Sequence, residues 1–214
     1  MLHLNPHQQR IDVISAAQLI KLYNLGNRYF SKVNLPQANL SETDLSEAKL
    51  WRANLTEINF SCAILRQANL TESNLTGGNL WRTDLQQGCL IKVQLSQGVL
   101  VRTNFAQASL CECVLRNADL RLANLEQADL RDADLSGANL SYANLRLANL
   151  TGANLSNAIL TGASLSQANL SNTNLEGAIL ERVDFSQAVL PNLDVSQKIQ
   201  INAQANKLGD YQFS

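Results

Sequence analysis

The chain has 214 residues, with 17 Lys and Arg set against 18 Asp and Glu, a formal net charge of −1. That balance gives no strong field for nucleic acid or an anionic membrane. Four cysteines without CxxC spacing and only two histidines provide no familiar zinc or dithiol motif.

The leader Met1 to His7 has no apolar run of signal-peptide or membrane-spanning length, so a cytoplasmic location is expected. His3 and His7 have the i, i+4 spacing of a helical metal pair, but Pro6 lies between them and no third ligand accompanies them. No metal and no cofactor are expected. Ser15-Ala16-Ala17-Gln18 reads as a capping box, and Leu19, Ile20, Leu22 and Tyr23 form an apolar stripe after it, with Gly26 as the stop. The pattern predicts a short helix over residues 15–25 that covers the start of the next structural unit.

Beyond the helix the chain adopts a strict period. Every fifth residue from Phe30 to Leu190 is Leu or Phe, 33 positions without exception. A period of five fits neither helix nor long strand, so the chain must turn once per repeat. With the apolar position called i, position i−2 is Ala at 19 sites and Gly, Ser, Thr or Cys at nine more. Position i−1 is Asn or Asp at 21 sites, among them Asp119, Asn124, Asp129, Asp134, Asn139 and Asn144. Apolar, polar, apolar is strand alternation. Positions i+1 and i+2 are mostly Ser, Thr, Arg, Glu, Gln, Gly and Asn, which suit bends. From residue 33 onward neither i−2 nor i carries a charge, as expected of side chains pointing into a dry interior.

Units such as Ala118-Asp119-Leu120-Arg121-Leu122, Ala133-Asp134-Leu135-Ser136-Gly137 and Ala153-Asn154-Leu155-Ser156-Asn157 resemble the A(D/N)LXX unit of the pentapeptide repeat family. The resemblance covers about residues 28 to 195, and Gly26-Asn27-Arg28-Tyr29-Phe30 resembles the stretch with which members often begin. It implies an all-β fold, a right-handed quadrilateral β-helix with four pentapeptides per coil. The domains expected are a leader and capping helix over 1–27, a β-helix of about eight coils over 28–195, and a C-terminal cover or tail over 196–214. With roughly 4.8 Å between stacked strands, the tube is about 40 Å long. Pro191 breaks the pattern, and Val195 closes a last degraded repeat.

The sequence itself favours four sides over three. Gln67, Gln87, Gln107, Gln127, Gln167 and Gln187 all stand at i+2 with spacings that are multiples of twenty. A twenty-residue coil stacks them in one column, where amides can form a ladder.

Compiling the outer sides at that register singles out one, centred on residues 40, 60, 80 and so on to 180. It carries Trp81, Arg82, Val99, Val101, Arg102, Asp119, Arg121, Leu122 and Tyr142, continuing to Ile159 and Ile179. Trp, Tyr and Arg among aliphatics are the composition of protein-binding hot spots. The alternative is that they merely coat a β-surface. From residue 86 to 115 the consensus decays, with i−1 apolar at Cys89, Val99 and Val114, which is read as enlarging this patch. Cys62, Cys89, Cys111 and Cys113 read as free thiols, Cys113 in the core, with a Cys89–Cys111 pair as the alternative because both fall on one side in adjacent coils.

The paired acids Asp132 with Asp134 and Glu112 with Asp119 lie on outer faces of a filled tube, with no cleft to shift a pKa, so no enzyme is expected. The expected function is a rigid, non-enzymatic module presenting the patch of Trp81, Arg82, Val99, Val101, Arg102, Arg121, Leu122 and Tyr142 to a cytoplasmic protein. The resemblance supplies an alternative, a DNA mimic acting on DNA gyrase, which the seven arginines from Arg66 to Arg146 oppose. Direct nucleic-acid binding through Arg and Trp is a third reading. A monomer or an end-to-end homodimer is expected.

Overall fold

The computed structural model describes residues 14–191. One α-helix, α1, spans Ala16–Asn24. Ser15 Oγ accepts from the Gln18 N–H at 3.2 Å, and Gln18 Oε1 accepts from the Ser15 N–H at 2.8 Å. This capping box satisfies two donors that a helix start leaves open. Leu19 is wholly buried, Ile20, Leu22 and Tyr23 pack against the core, and the Tyr23 hydroxyl donates to Ser46 O at 3.0 Å. The helix therefore lies over the first coil. Gly26 leaves it at φ +94°, a conformation that glycine adopts without steric strain.

From Tyr29 to Val189 the backbone winds in square coils. Parallel bridges join each i−1 residue to the one twenty later, from Tyr29 with Lys49 to Asn169 with Val189. The strand alternation of the sequence occupies one bridge residue per side. A corner comes directly after it, so no described residue lies in a continuous strand. Where an all-β fold is expected, the described residues form stacked single bridges and no continuous sheet.

Every i+2 residue from Lys32 to Gln187 has a positive φ, whether or not it is glycine. From Ala48 onward the N–H of the residue after it donates to the carbonyl of i, as Ala128 does to Leu125 at 3.0 Å, so the corner is a type II turn. The left-handed region costs a non-glycine residue about 1–2 kcal/mol. Bulky residues such as Leu122 and Tyr142 hide that requirement from a sequence reading.

The Leu and Phe side chains at i and the small residues at i−2 fill the lumen, with Phe30, Phe60, Phe105 and Leu40 to Leu170 almost completely buried. Each buried Leu contributes roughly 1.5–3 kcal/mol before the entropy of ordering the chain is set against it. Hydroxyls at i−2 find acceptors inside the tube. Thr83, Thr103 and Thr173 donate to Phe60 O, Leu80 O and Leu150 O at 2.7, 2.6 and 2.8 Å, and Ser73 donates to Leu70 O. Cys113 is also buried, and burial pushes its thiol pKa far up.

The backbone donors show why Asn and Asp occupy i−1. In the repeat centred on Leu125, the N–H groups of Asn124, Leu125 and Gln127 donate to Thr103 O, Asn144 O and Arg146 O at 2.9, 2.7 and 2.9 Å. With the turn bond of Ala128, four of five donors are held by backbone. The fifth, on Glu126 at i+1, donates to Asn124 Oδ1 at 3.2 Å. Every Asn or Asp at i−1 from Asn39 to Asp184 accepts this bond from its own i+1 residue. It is an Asx turn built into each corner of that span that has Asn or Asp at i−1. Pro36 stands at i+1, the one position whose N–H the ladder does not use, and Pro191 falls on the equivalent position rather than opposing the repeat.

The Gln column is the ladder expected. Gln67 donates to Gln87, Gln87 to Gln107 and Gln107 to Gln127 at 3.0, 2.9 and 3.1 Å, and Gln167 donates to Gln187 at 3.0 Å. The expectations for His3, His7, Val195 and the C-terminal cover lie outside the described residues. No helix among the described residues is long and apolar enough to cross a membrane.

The fifth donor and the carboxylates that accept from it give measurable outcomes. Asn124→Ala should lower stability by about 1 kcal/mol, and Val114→Asn should raise it by a similar amount, read as opposite shifts of the urea midpoint at unchanged slope. Asp44, Asp119 and Asp129 are held below the ordinary carboxylate value of 3.8, first by side-chain donors from Ser46, Arg121 and Arg131 respectively. Their contribution is complete above the unfolded value and lost as pH falls through the lower folded values. The thermal midpoint should hold steady from pH 7 to about 5 and drop below about 4, as scanning calorimetry would show.

Candidate functional site

The twenty-residue register brings the sequence-predicted residues together on one side. Trp81, Val101 and Arg121 stack at i+1, while Arg82, Arg102, Leu122 and Tyr142 stack at i+2 beside them. Val99 bridges to Asp119 at i−1. Backbone bonds fix the stack. Arg82 N–H donates to Val101 O at 3.1 Å, Arg102 N–H to Arg121 O at 3.0 Å and Leu122 N–H to Ser141 O at 3.0 Å.

Nine large apolar side chains are exposed among the described residues, and five belong to this side: Trp81, Val99, Leu122, Tyr142 and Ile179. Tyr142 is the most exposed of them at 56%. Val101 and Ile159 are half-buried, so they edge the patch rather than crown it. The Arg82 guanidinium stands 4.7 Å from the Trp81 ring centroid, a cation–π contact. Arg121 forks onto Asp119 at 2.8 and 2.6 Å, and that side-chain bond holds the Asp119 carboxyl below its ordinary range.

One expectation is corrected. Cys89, Val99 and Val114 do not enlarge a single patch, because each five-residue step moves the chain to the next side. Ten residues separate Cys89 from Val99, which places them on opposite sides, and Val114 lies on a third. Cys89 and Cys111 share a side, but both are free. Cys89 Sγ contacts Thr71 Oγ1 at 3.2 Å, and Cys111 Sγ faces Asp129 O at 4.0 Å and Arg131.

The decay instead removes the acceptor for the fifth donor. Where i−1 is Cys89, Gln94, Val99, Ser109 or Val114, the N–H groups of Ile91, Ser96, Val101, Cys111 and Arg116 find no acceptor among the described residues. Ala106, preceded by Asn104, retains its bond.

Sequence reasoning missed two supports of the site. Asn79 Oδ1 accepts from the Trp81 N–H at 3.1 Å and fixes that corner. Gly162 lies one coil beyond Tyr142, and a Cβ there would come within 2.6 Å of the Tyr142 ring. The signal was present, since Tyr142 and Gly162 are one coil apart at i+2.

The electrostatics also differ from the expectation. Of the seven arginines from Arg66 to Arg146, five pair with a carboxylate: Arg66, Arg116, Arg121, Arg131 and Arg146. Arg82 and Arg102 form no ion pair among the described residues. The described residues also contain no cluster of side chains able to hold a metal ion.

Comparison with known proteins agrees with this architecture. The pentapeptide repeat model matches eight copies, over residues 29–61, 53–90, 63–100, 89–127, 128–167 and 168–197. Among solved structures, the chain is similar to HetL, a pentapeptide repeat protein involved in heterocyst differentiation regulation from the cyanobacterium Nostoc sp. strain PCC 7120. Identity is 29% and the TM-score 0.53, covering 84% of this chain and 94% of HetL. It also shares the fold of QnrB1, a plasmid-mediated fluoroquinolone resistance protein, at 18% identity and a TM-score of 0.64, covering 83% of this chain and 90% of that one. No curated protein matches the chain. The repeats, their register and these likenesses together show that the chain belongs to the pentapeptide repeat family.

Proposed function

We propose that this chain is a non-enzymatic interaction module, a rigid solenoid that docks a cytoplasmic protein on the side bearing Trp81, Arg82, Val99, Arg102, Leu122 and Tyr142, and regulates it. The observation that carries the reading is a coincidence on one side. Five of the nine exposed apolar side chains stand there with two arginines that no carboxylate among the described residues neutralises. A monomer gains nothing from either feature, whereas an interface buries the first and pairs the second. The filled lumen supports a binding role over catalysis, since among the described residues Leu, Phe and Ala side chains occupy the interior in which an acid or base would be sheltered. The likeness to HetL, whose described role is regulatory, supports the same reading.

The DNA-mimic reading asks for dense negative charge, because duplex DNA carries about one charge per 1.7 Å of axis. Between residues 30 and 190 there are 15 acidic and 12 basic residues, mixed in sign. The shared fold with QnrB1 brings this alternative into view without supplying that charge. A supercoiling assay with DNA gyrase should show no inhibition at micromolar protein, and inhibition there would favour the mimic.

The docking reading is tested by capture from native lysate followed by mass spectrometry. The double variant Trp81→Ala with Arg102→Ala should lose the partner by tenfold or more, while Arg116→Ala, on another side, retains it. Unchanged capture by the double variant would overturn the assignment of this side.

A further inference from the structure

Resting on the reading of this side as a docking surface, we infer that its occupant is an extended acidic protein segment. One carboxylate sits between Arg82 and Arg102, and apolar side chains two and four residues further on lie over Leu122 and Tyr142.

The charge pattern carries the inference. Elsewhere a stack of like charges at i+2 has at least one member paired along the column, since Arg52 beside Lys32 is held by Glu72 and Glu112 beside Asp132 by Lys92. Gln37 donates to Glu57 at 2.8 Å, Arg52 pairs with Glu72 at 2.5 Å and Lys92 with Glu112 at 3.3 Å. The column Arg82, Arg102, Leu122, Tyr142 departs from this in that neither member of its like-charged pair has a carboxylate among the described residues. It stacks two arginines in adjacent coils, roughly 4.8 Å apart, where like charges repel. Both are exposed. Arg182, in the same column, likewise forms no ion pair among the described residues.

A second observation lies at the same corner. The N–H of Val101, next to Arg102 in the chain, has no acceptor among the described residues, because Val99 stands where an Asn or Asp would have supplied one. Two arginines one coil apart and a backbone donor without a partner among the described residues thus lie within one short stretch of the tube, with the Arg82 guanidinium 4.7 Å from the Trp81 ring. An anion answers all three.

The spacing selects the kind of anion. From the midpoint of the two arginines, Leu122 lies about 1.5 coils away and Tyr142 about 2.5 coils, roughly 7 and 12 Å at 4.8 Å per coil. An extended peptide places its second and fourth following residues, on the same face, at roughly 6.8 and 13.6 Å. An acidic residue with alternate apolar residues after it therefore matches the column along the tube axis. A nucleic acid matches poorly. Its charge repeats without pause, about every 3.4 Å along each strand, whereas this column turns apolar after two cations and Asp119 with Arg121 beside it are already mutually neutralised.

The test is selection of a random twelve-residue peptide library, displayed on phage, against the intact protein. Recovered peptides should be enriched in an acidic residue followed at the second and fourth positions by apolar ones. Synthetic copies should bind with at least tenfold lower affinity to Arg82→Glu with Arg102→Glu, and unchanged to Arg116→Glu. The far-ultraviolet dichroism of each variant checks its fold. Apolar peptides that ignore the arginines yet need Leu122 and Tyr142 would overturn the acidic segment while leaving the docking side standing. Peptides indifferent to every residue of this column would overturn both. Displacement of a bound peptide by a labelled single-stranded oligonucleotide, with the same arginine dependence, would overturn the protein segment in favour of nucleic acid.

Discussion

One hydrogen bond, made wherever Asn or Asp stands at i−1 from Asn39 to Asp184, organises this molecule. Stacking at a twenty-residue register, together with the turn bond, gives a backbone partner to four of five N–H groups, and the fifth, at i+1, must look elsewhere. Asn or Asp one residue before the apolar centre supplies the acceptor, and supplies it locally, within the same repeat. The corner thus closes without help from neighbouring coils, while the Leu and Phe columns join coil to coil. Local closure and nearest-neighbour stacking together make the solenoid a sum of repeats.

The same arrangement explains how a surface can be altered without disturbing the fold. Replacing Asn by Val or Cys at i−1 forfeits one exposed bond but leaves the lumen untouched, since Leu90, Leu95 and Leu100 stay fully buried beneath Cys89, Gln94 and Val99. Each i+2 residue is held left-handed whatever its identity, so Arg82, Arg102, Leu122 and Tyr142 are presented by a backbone that does not depend on them. The proposed binding face asks of such a scaffold the loss of only a few caps. Stability and surface character draw on separate positions of the repeat.

Much of this is legible in the residues. The period of five, the small residue at i−2 and the Gln spacing lead to a square coil, and the capping box at Ser15 leads to α1. The side carrying the site is fixed by numbering alone once the register is known. Other features need three dimensions. That Asp119 is already occupied by Arg121 while Arg82 has no such partner depends on which side chains reach one another. Grouping Cys89 and Val114 with Val99 judges proximity along the chain, where the coil separates neighbours ten residues apart onto opposite sides. Gly162 is visible in the numbering one coil beyond Tyr142, but that it leaves room for the Tyr142 ring emerges only once the side chains are placed.

The fifth donor is also the most direct point of attack on the whole account. Residue-resolved amide hydrogen exchange by NMR distinguishes capped from uncapped corners within one sample. Ile91, Val101 and Arg116 should exchange at least tenfold faster than Arg121, Glu126 and Arg131, which donate to Asp119, Asn124 and Asp129. Equal rates in the two groups would mean that the side chain at i−1 does not hold the corner, and the link between the decayed repeats and an altered surface would fail with it.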